Sequence, residues 1–205
     1  MWGDRMKNRR MAAVVLMTAV LIILQIFPVW AKEEQLYALS AVLMDGETGR
    51  VLYGKEAYKG RPNASTTKVM TCILALEMAS GDDYVQVSRN AASQPQTHLG
   101  MREGQQFYLE DLLYSLMLKS HNDTAVAIAE HIGGSVEKFA LLMNEKAKSF
   151  GMNDTNFKNC HGIDEDDHYT SSYDIALLSR ALLLDYPEIT KYTTIYMDSL
   201  RDRKI

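Results

Sequence analysis

Cysteine is scarce in this chain, with only Cys72 and Cys160 among 205 residues. Two cysteines specify no disulfide framework, which sets aside the small stapled scaffolds. Cys72 falls in an apolar run and reads as a small buried side chain, Cys160 falls in a loop-like stretch, and both are expected free. Positive charge is also in deficit. The net charge is −4, and residues 1–31 hold Arg5, Lys7, Arg9 and Arg10 against Asp4, so residues 32–205 carry −7. An acidic body argues against a nucleic-acid partner. Internal repeats, low-complexity tracts and flexible linkers are absent. So is any zinc-ligand spacing: His161 and His168 bracket the acidic run 164–167, which reads as a solvated loop, and no metal or cofactor is expected.

What is present begins with residues 1–31. A basic stretch from Arg5 to Arg10, an apolar stretch from Met11 to Trp30 and small residues up to Ala31 read as a secretory signal peptide. The rival is a retained membrane anchor, because about 20 apolar residues span a bilayer. On either reading the body, residues 32–205, lies outside the cytoplasm. Along the body, Leu39 to Asp45 and Arg50 to Tyr53 flank Asp45-Gly46-Glu47-Thr48-Gly49 and predict a β-hairpin. Thr66 to Ser80 predicts a buried helix. A short strand is expected at Tyr84 to Ser88, and helices at 109–119, 123–131, 135–150 and 175–184, the last behind a Ser171/Asp174 capping box. From Ile189 the Tyr, Thr and Ile content suggests extended structure. A lone hairpin is not stable in water and needs further strands, which are not evident.

The chemistry concentrates at Ser65-Thr66-Thr67-Lys68, heading the apolar run Val69 to Met78. A serine hydroxyl is a weak nucleophile until a neighbouring base takes its proton. A lysine serves as that base only when burial lowers its pKa. Three residues on a helix place both on one face. The pattern alone is weak: roughly one Ser-x-x-Lys arises by chance in a chain of this length, and Ser135 to Lys138 is a second. That one opens an amphipathic helix after Gly133-Gly134, so Ser135 reads as an N-cap and Lys138 as solvated. Ser65 has the drier setting and a helix N-terminus that favours a developing oxyanion. The residues alone leave open whether Ser65 and Lys68 are a catalytic pair or a cap with a snorkelling amine. Ser120-His121-Asn122, between two helical patterns, could project a hydroxyl and an amide into a cleft, although an ordinary helix connection is the simpler local reading. Ser88-Arg89-Asn90 reads as a strand exit, and the sequons at Asn63, Asn122 and Asn153 as accidental.

Ala64 through Thr71 closely resembles the first motif of the D-alanyl-D-alanine carboxypeptidases, the low-molecular-mass penicillin-binding proteins of bacteria. Ser120-His121-Asn122-Asp123 is similar to their second motif. The hairpin, the stretch Asn159-Cys160-His161-Gly162-Ile163 and the stretch Tyr169 to Asp174 resemble the family too, so the likeness runs over about residues 37–200. The family's third element, Lys-Thr-Gly, does not occur here, and Asn63 stands where proline is common.

The resemblance implies an α+β fold of the serine β-lactamase and penicillin-binding-protein kind, an antiparallel sheet flanked by helices plus a helical lobe, expected incomplete at the C-terminus. It implies Ser65 as the nucleophile forming an acyl ester, Lys68 as general base, Ser120 as proton relay and Asn122 as substrate-binding residue. The substrate would be a peptidoglycan stem peptide ending in D-Ala-D-Ala, with β-lactams as inhibitors and no metal or cofactor. The location would be extracytoplasmic. Membrane association would come through an uncleaved N-terminus or a missing C-terminal anchor. Without Lys-Thr-Gly the chain as given is expected weakly active or inactive, so a catalytically silent secreted fragment or binding module is the alternative. A serine β-lactamase is less favoured, because no Glu-x-x-Leu-Asn follows the second motif.

Overall fold

The computed structural model describes residues 36–194, together with Met11 and residues 14–18. The chain divides into two compact units between Tyr37 and Ala38. In the first, residues 14–18 are helical, and the signal-or-anchor reading of residues 1–31 otherwise lies outside the described residues. Among the described residues no helix is long and apolar enough to cross a membrane.

The second unit opens with the expected hairpin. Strands β1 (Ala41–Met44) and β2 (Val51–Lys55) pair antiparallel, Ala41 opposite Lys55, with a bulge between Leu43 and Met44. The turn closes on the Asp45 carboxylate, which accepts from the backbone N–H and the hydroxyl of Thr48 at 2.7 and 2.6 Å. Such a side chain stands in for a backbone turn. A 3-10 turn, Ala64–Thr67, then runs directly into helix α1, Lys68–Met78, so the single helix expected over 66–80 begins as a tighter turn. Strand β3 (Tyr84–Gln86) pairs antiparallel with β4 (Gln106–Tyr108). Between them lies the short helix α2, Arg89–Ala92. Helices α3 (Leu109–Lys119), α4 (Asn122–Gly133), α5 (Val136–Ser149), α6 (Ser172–Asp185) and α7 (Ile189–Thr193) follow.

Helix α1 is the axle of the unit and touches α3, α4, α5 and α6. Its Met70, Cys72, Ile73 and Ala75 are fully shielded. Helix α4 packs on α1, and its Ala125, Val126, Ala127, Ile128 and Ala129 are all buried. Leu112, Leu113 and Leu116 from α3, Phe139 and Met143 from α5, and Leu178 from α6 complete the core. Each large side chain buried in this way contributes about 1.5–3 kcal/mol, so α1 is held from several sides at once. Helix α6 lies on β1, and its Arg180 donates to the carbonyls of Gly46 and Glu47 in the hairpin turn at 2.9 and 2.7 Å. Both cysteines are free and buried, and burial pushes each thiol up to about 12.

The structure corrects several readings of the sequence. Ile189–Thr193 is a helix, not extended chain, because Ile189 and Tyr192 are buried and α7 packs on α3. Residues 195–205 lie outside the described residues. Ser88 follows directly on the pairing of Val87 with Gln105, and beyond marking the strand exit it caps α2, accepting from Ala91 N–H at 2.9 Å. Ser135 caps α5 as expected. The capping box before α6 is half formed. Ser171 accepts from Asp174 N–H at 3.1 Å. The Asp174 carboxylate turns away and accepts from Asp154 N–H and the Thr155 hydroxyl, both at 2.7 Å.

Candidate active site

The 3-10 turn decides the first relationship in the site. With three residues per turn, positions i and i+3 lie in line, and Lys68 Nζ stands 3.2 Å from Ser65 Oγ. Ser65 is on the exposed side of the turn, whereas Lys68 is 2% exposed. The amine therefore sits behind the hydroxyl, in the dry space that the apolar run of α1 creates.

Two further groups hold the amine. Asn122, the first residue of α4, offers Oδ1 at 2.9 Å, and the His161 carbonyl offers its oxygen at 2.8 Å. Among the described residues no carboxylate pairs with Lys68. Burial lowers its pKa from 10.5 to about 8, against an opposing influence from Cys160. The geometry also orients the neutral amine. Asn122 Oδ1 and the His161 carbonyl oxygen can only accept, so they take the two N–H bonds. The nitrogen lone pair is then left facing Ser65 Oγ, which can donate. The arrangement can take a proton from the serine hydroxyl without first breaking either supporting bond.

The second motif is built by a helix end. Ser120 terminates α3 with a left-handed φ of 58°, and its N–H donates to Leu116 at 3.1 Å. Its Oγ is buried and has no partner among the described residues. Two residues on, Asn122 is pinned by its backbone N–H to Thr97 O at 2.7 Å and by Nδ2 to Pro95 O at 3.3 Å. One N–H and one lone pair of its amide remain for a ligand. Asp123 anchors this region. Its buried carboxylate accepts from the N–H groups of Leu99, Gly100 and Met101 at 2.9, 2.9 and 3.2 Å, fixing the loop that supplies the Asn122 contacts. His121 instead bonds Ser115 through Nδ1 at 2.8 Å.

The loop Asn159 to His168 supplies what the sequence did not disclose. Asn159 Oδ1 accepts from the N–H groups of His161 and Gly162 at 3.3 and 2.8 Å, curling the loop so that the His161 carbonyl points at Lys68. Gly162 has a φ of +87°, and a Cβ there would lie 1.8 Å from Ala64 O. Only glycine lets this loop press against the turn that carries Ser65. Thr71 Oγ1 donates to the Cys160 carbonyl at 2.7 Å, a further tie to α1. The histidines considered as metal ligands are engaged otherwise. His161 Nδ1 accepts from Ile163 N–H at 3.1 Å and His168 Nδ1 from Lys158 N–H at 3.0 Å. Burial holds the His161 imidazole down to about 4. Asn159 and Gly162 belong to a stretch that resembles the family, but nothing in the residue pattern marks their roles.

The fold that carries this site is shared with solved penicillin-binding proteins. The D-alanyl-D-alanine carboxypeptidase DacD of Francisella tularensis superposes with a TM-score of 0.75 at 36% identity, over 78% of this chain and 40% of that one. Penicillin binding protein 5 of Haemophilus influenzae gives a TM-score of 0.76 at 29% identity, over 85% of this chain and 53% of that one. Among curated relatives, the D-alanyl-D-alanine carboxypeptidase DacF of Bacillus subtilis is 40% identical over 170 residues, covering 80% of this chain and 43% of DacF. The profile of the S11 peptidases, described as D-alanyl-D-alanine carboxypeptidase, matches residues 28–205, and the chain belongs to that family. It spans less than half the length of DacF.

Proposed function

We propose that this chain carries the acylating centre of a serine D-alanyl-D-alanine carboxypeptidase acting outside the cytoplasm on peptidoglycan stem peptides. One observation carries the reading: a buried lysine amine without a carboxylate partner, 3.2 Å from a serine hydroxyl, its pKa lowered to about 8. In this reading Ser65 Oγ attacks the carbonyl carbon between the two terminal D-alanines while its proton passes to Lys68 Nζ. The C–N bond then breaks. The departing amine takes a proton through Ser120 Oγ, whose lack of a protein partner leaves it free for that relay. Asn122 holds the substrate amide. Water hydrolyses the acyl ester and frees Ser65, and no step calls on a metal. A β-lactam would acylate Ser65 in the same way. Residues 1–31 would serve as the export signal or anchor, and residues 32–205 as the peptidase body.

The test is labelling with a fluorescent penicillin, alongside D-alanine release from diacetyl-Lys-D-Ala-D-Ala. Labelling that is weak in a chain without Lys-Thr-Gly, and that disappears in Ser65→Ala, is the expected result. Labelling that survives the substitution, or rapid nitrocefin turnover in place of D-alanine release, would overturn the reading.

A further inference from the structure

His168 lies more than a hundred residues beyond Ser65 in sequence, is 4% exposed and takes no part in the steps above. Its two ring nitrogens are both committed. Nδ1 accepts from Lys158 N–H at 3.0 Å, which fixes the proton of the neutral ring on Nε2. Nε2 in turn lies 2.9 Å from Thr67 Oγ1, so it donates there. Thr67 is fully buried and stands between Ser65 and Lys68 in the 3-10 turn. The same hydroxyl receives Asn63 Nδ2 at 2.7 Å. One imidazole therefore joins the start of the loop that presents the His161 carbonyl to the middle of the turn that carries nucleophile and base. The Phe157 ring lies beside the imidazole, tilted by 60° with 6.0 Å between centroids.

We propose that His168 is a positioning residue for the Ser65–Lys68 pair, a clasp that holds the 158–168 loop and the nucleophile's turn in register through Thr67 Oγ1. This rests on the carboxypeptidase reading for its consequence in catalysis, but not for its geometry. The clasp works only in the neutral ring. A second proton on Nδ1 would face the Lys158 N–H donor to donor and release that end. Burial holds the His168 pKa below its ordinary 6.5, against Glu165 and Asp164 of the same loop, which raise it. The ring in turn acts on His161. Release of the clasp would loosen the loop against Gly162 and admit water to the Lys68 amine. Displacements of about 1 Å at a reacting pair cost on the order of a hundredfold in rate.

The experiment compares the full chain with His168→Ala, His168→Gln and Thr67→Val. Gln keeps a donor near the Nε2 position and cannot be protonated in this range, and Val removes the receiving hydroxyl at nearly constant volume. Two quantities are read: the Lys68 titration, from its 13Cε shift, and the acylation rate constant with a fluorescent penicillin, separated from the pre-acylation binding constant. In His168→Ala and Thr67→Val the Lys68 pKa should climb toward 10.5 and the acylation rate constant should fall by about 10- to 100-fold, with pre-acylation binding little changed. His168→Gln should recover most of both. If His168→Ala does not fold, Thr67→Val decides the matter. An unshifted Lys68 titration in the folded Thr67 or His168 variants overturns the proposal. Labelling that survives Ser65→Ala fells the carboxypeptidase reading, whereas weak acylation of the native chain follows from the missing Lys-Thr-Gly, and in either case the Lys68 titration judges the clasp.

Discussion

Replacing Lys68 by methionine separates the chemistry of the amine from its cost to the fold. In the native chain the amine titrates at about 8 against an ordinary 10.5, so the folded state releases the lysine proton before the unfolded state does. Where the unfolded state binds more protons, stability rises with pH. The window opens near the folded value of about 8 and closes near 10.5. Each unit of difference is worth about 1.4 kcal/mol. Integrating the two titration curves between about pH 7 and pH 9 gives a gain of about 1.4 kcal/mol, the remainder of the shift appearing only above that range. Cys72 and Cys160 act in the opposite sense. Their thiols are raised from 9.0 to about 12, so each costs stability as pH rises above the unfolded value. Stopping near pH 9 and subtracting the Lys68→Met variant, which keeps both cysteines, removes most of that contribution. The assay is urea unfolding of both proteins at about pH 7 and pH 9. The native chain should gain about 1.4 kcal/mol over the variant across that interval. A difference that stays flat, or falls with pH, would mean that the amine is not held in a dry site, and the neutral-base argument would fail with it.

Gly162→Ala should be among the most damaging single substitutions. Its Cβ would meet Ala64 O at 1.8 Å in a left-handed backbone, and a loss of about 4 kcal/mol or more is expected by thermal unfolding, together with loss of acylation. Asp123→Ala leaves the N–H groups of Leu99, Gly100 and Met101 without their acceptor, at about 1–3 kcal/mol for each donor that stays buried. Hydrogen exchange at those amides should quicken before global stability is lost. Ser120→Gly should have the opposite effect on the fold. Removing an unpaired buried hydroxyl from a residue at φ 58° should stabilise by about 1 kcal/mol, seen as a Tm rise of roughly 2–4 °C, while D-alanine release slows.

The parts of the site that could be read from the sequence are those built by local spacing. Ser65 and Lys68 are three residues apart, and the apolar run that dries the lysine is continuous with them, so one short window holds both the pair and its environment. Asn122 was recognisable only through the resemblance, since an Asn at a helix start is ordinarily a cap. The His161 carbonyl was not legible at all. A backbone oxygen carries no residue signature, and its contact with Lys68 spans 93 positions. Gly162 reads as a turn glycine until the fold shows Ala64 against it. Strand β4 escaped notice because three residues, Gln106–Tyr108, are too few for a period of two to show. Helix α7 was misread because its Tyr, Thr and Ile favour extended chain by composition. Burial of Ile189 and Tyr192, with Tyr192 edge-on to Tyr114 of α3 at 4.9 Å, overrides that preference.

Several unfavourable features of the described residues fall at the site, although Glu56 and Asp167 are also left-handed elsewhere. Ala64 at φ 45° and Ser120 at φ 58° are non-glycine residues in left-handed backbone, a conformation that costs on the order of 1–3 kcal/mol each. Ser120 Oγ is buried and unpaired, and Lys68 is a buried amine without a counter-charge. The helices around α1 offset these costs with ordinary packing. Three of the four belong to groups proposed to act, and the fourth, at Ala64, adjoins Ser65. A ligand reaching the site would give Ser120 Oγ the partner that the fold withholds, and would place its carbonyl beside a hydroxyl whose proton already has a destination. The local instability of the free protein and the preference of the site for an acylating ligand would then have the same physical origin. Substitutions that relieve the first should weaken the second.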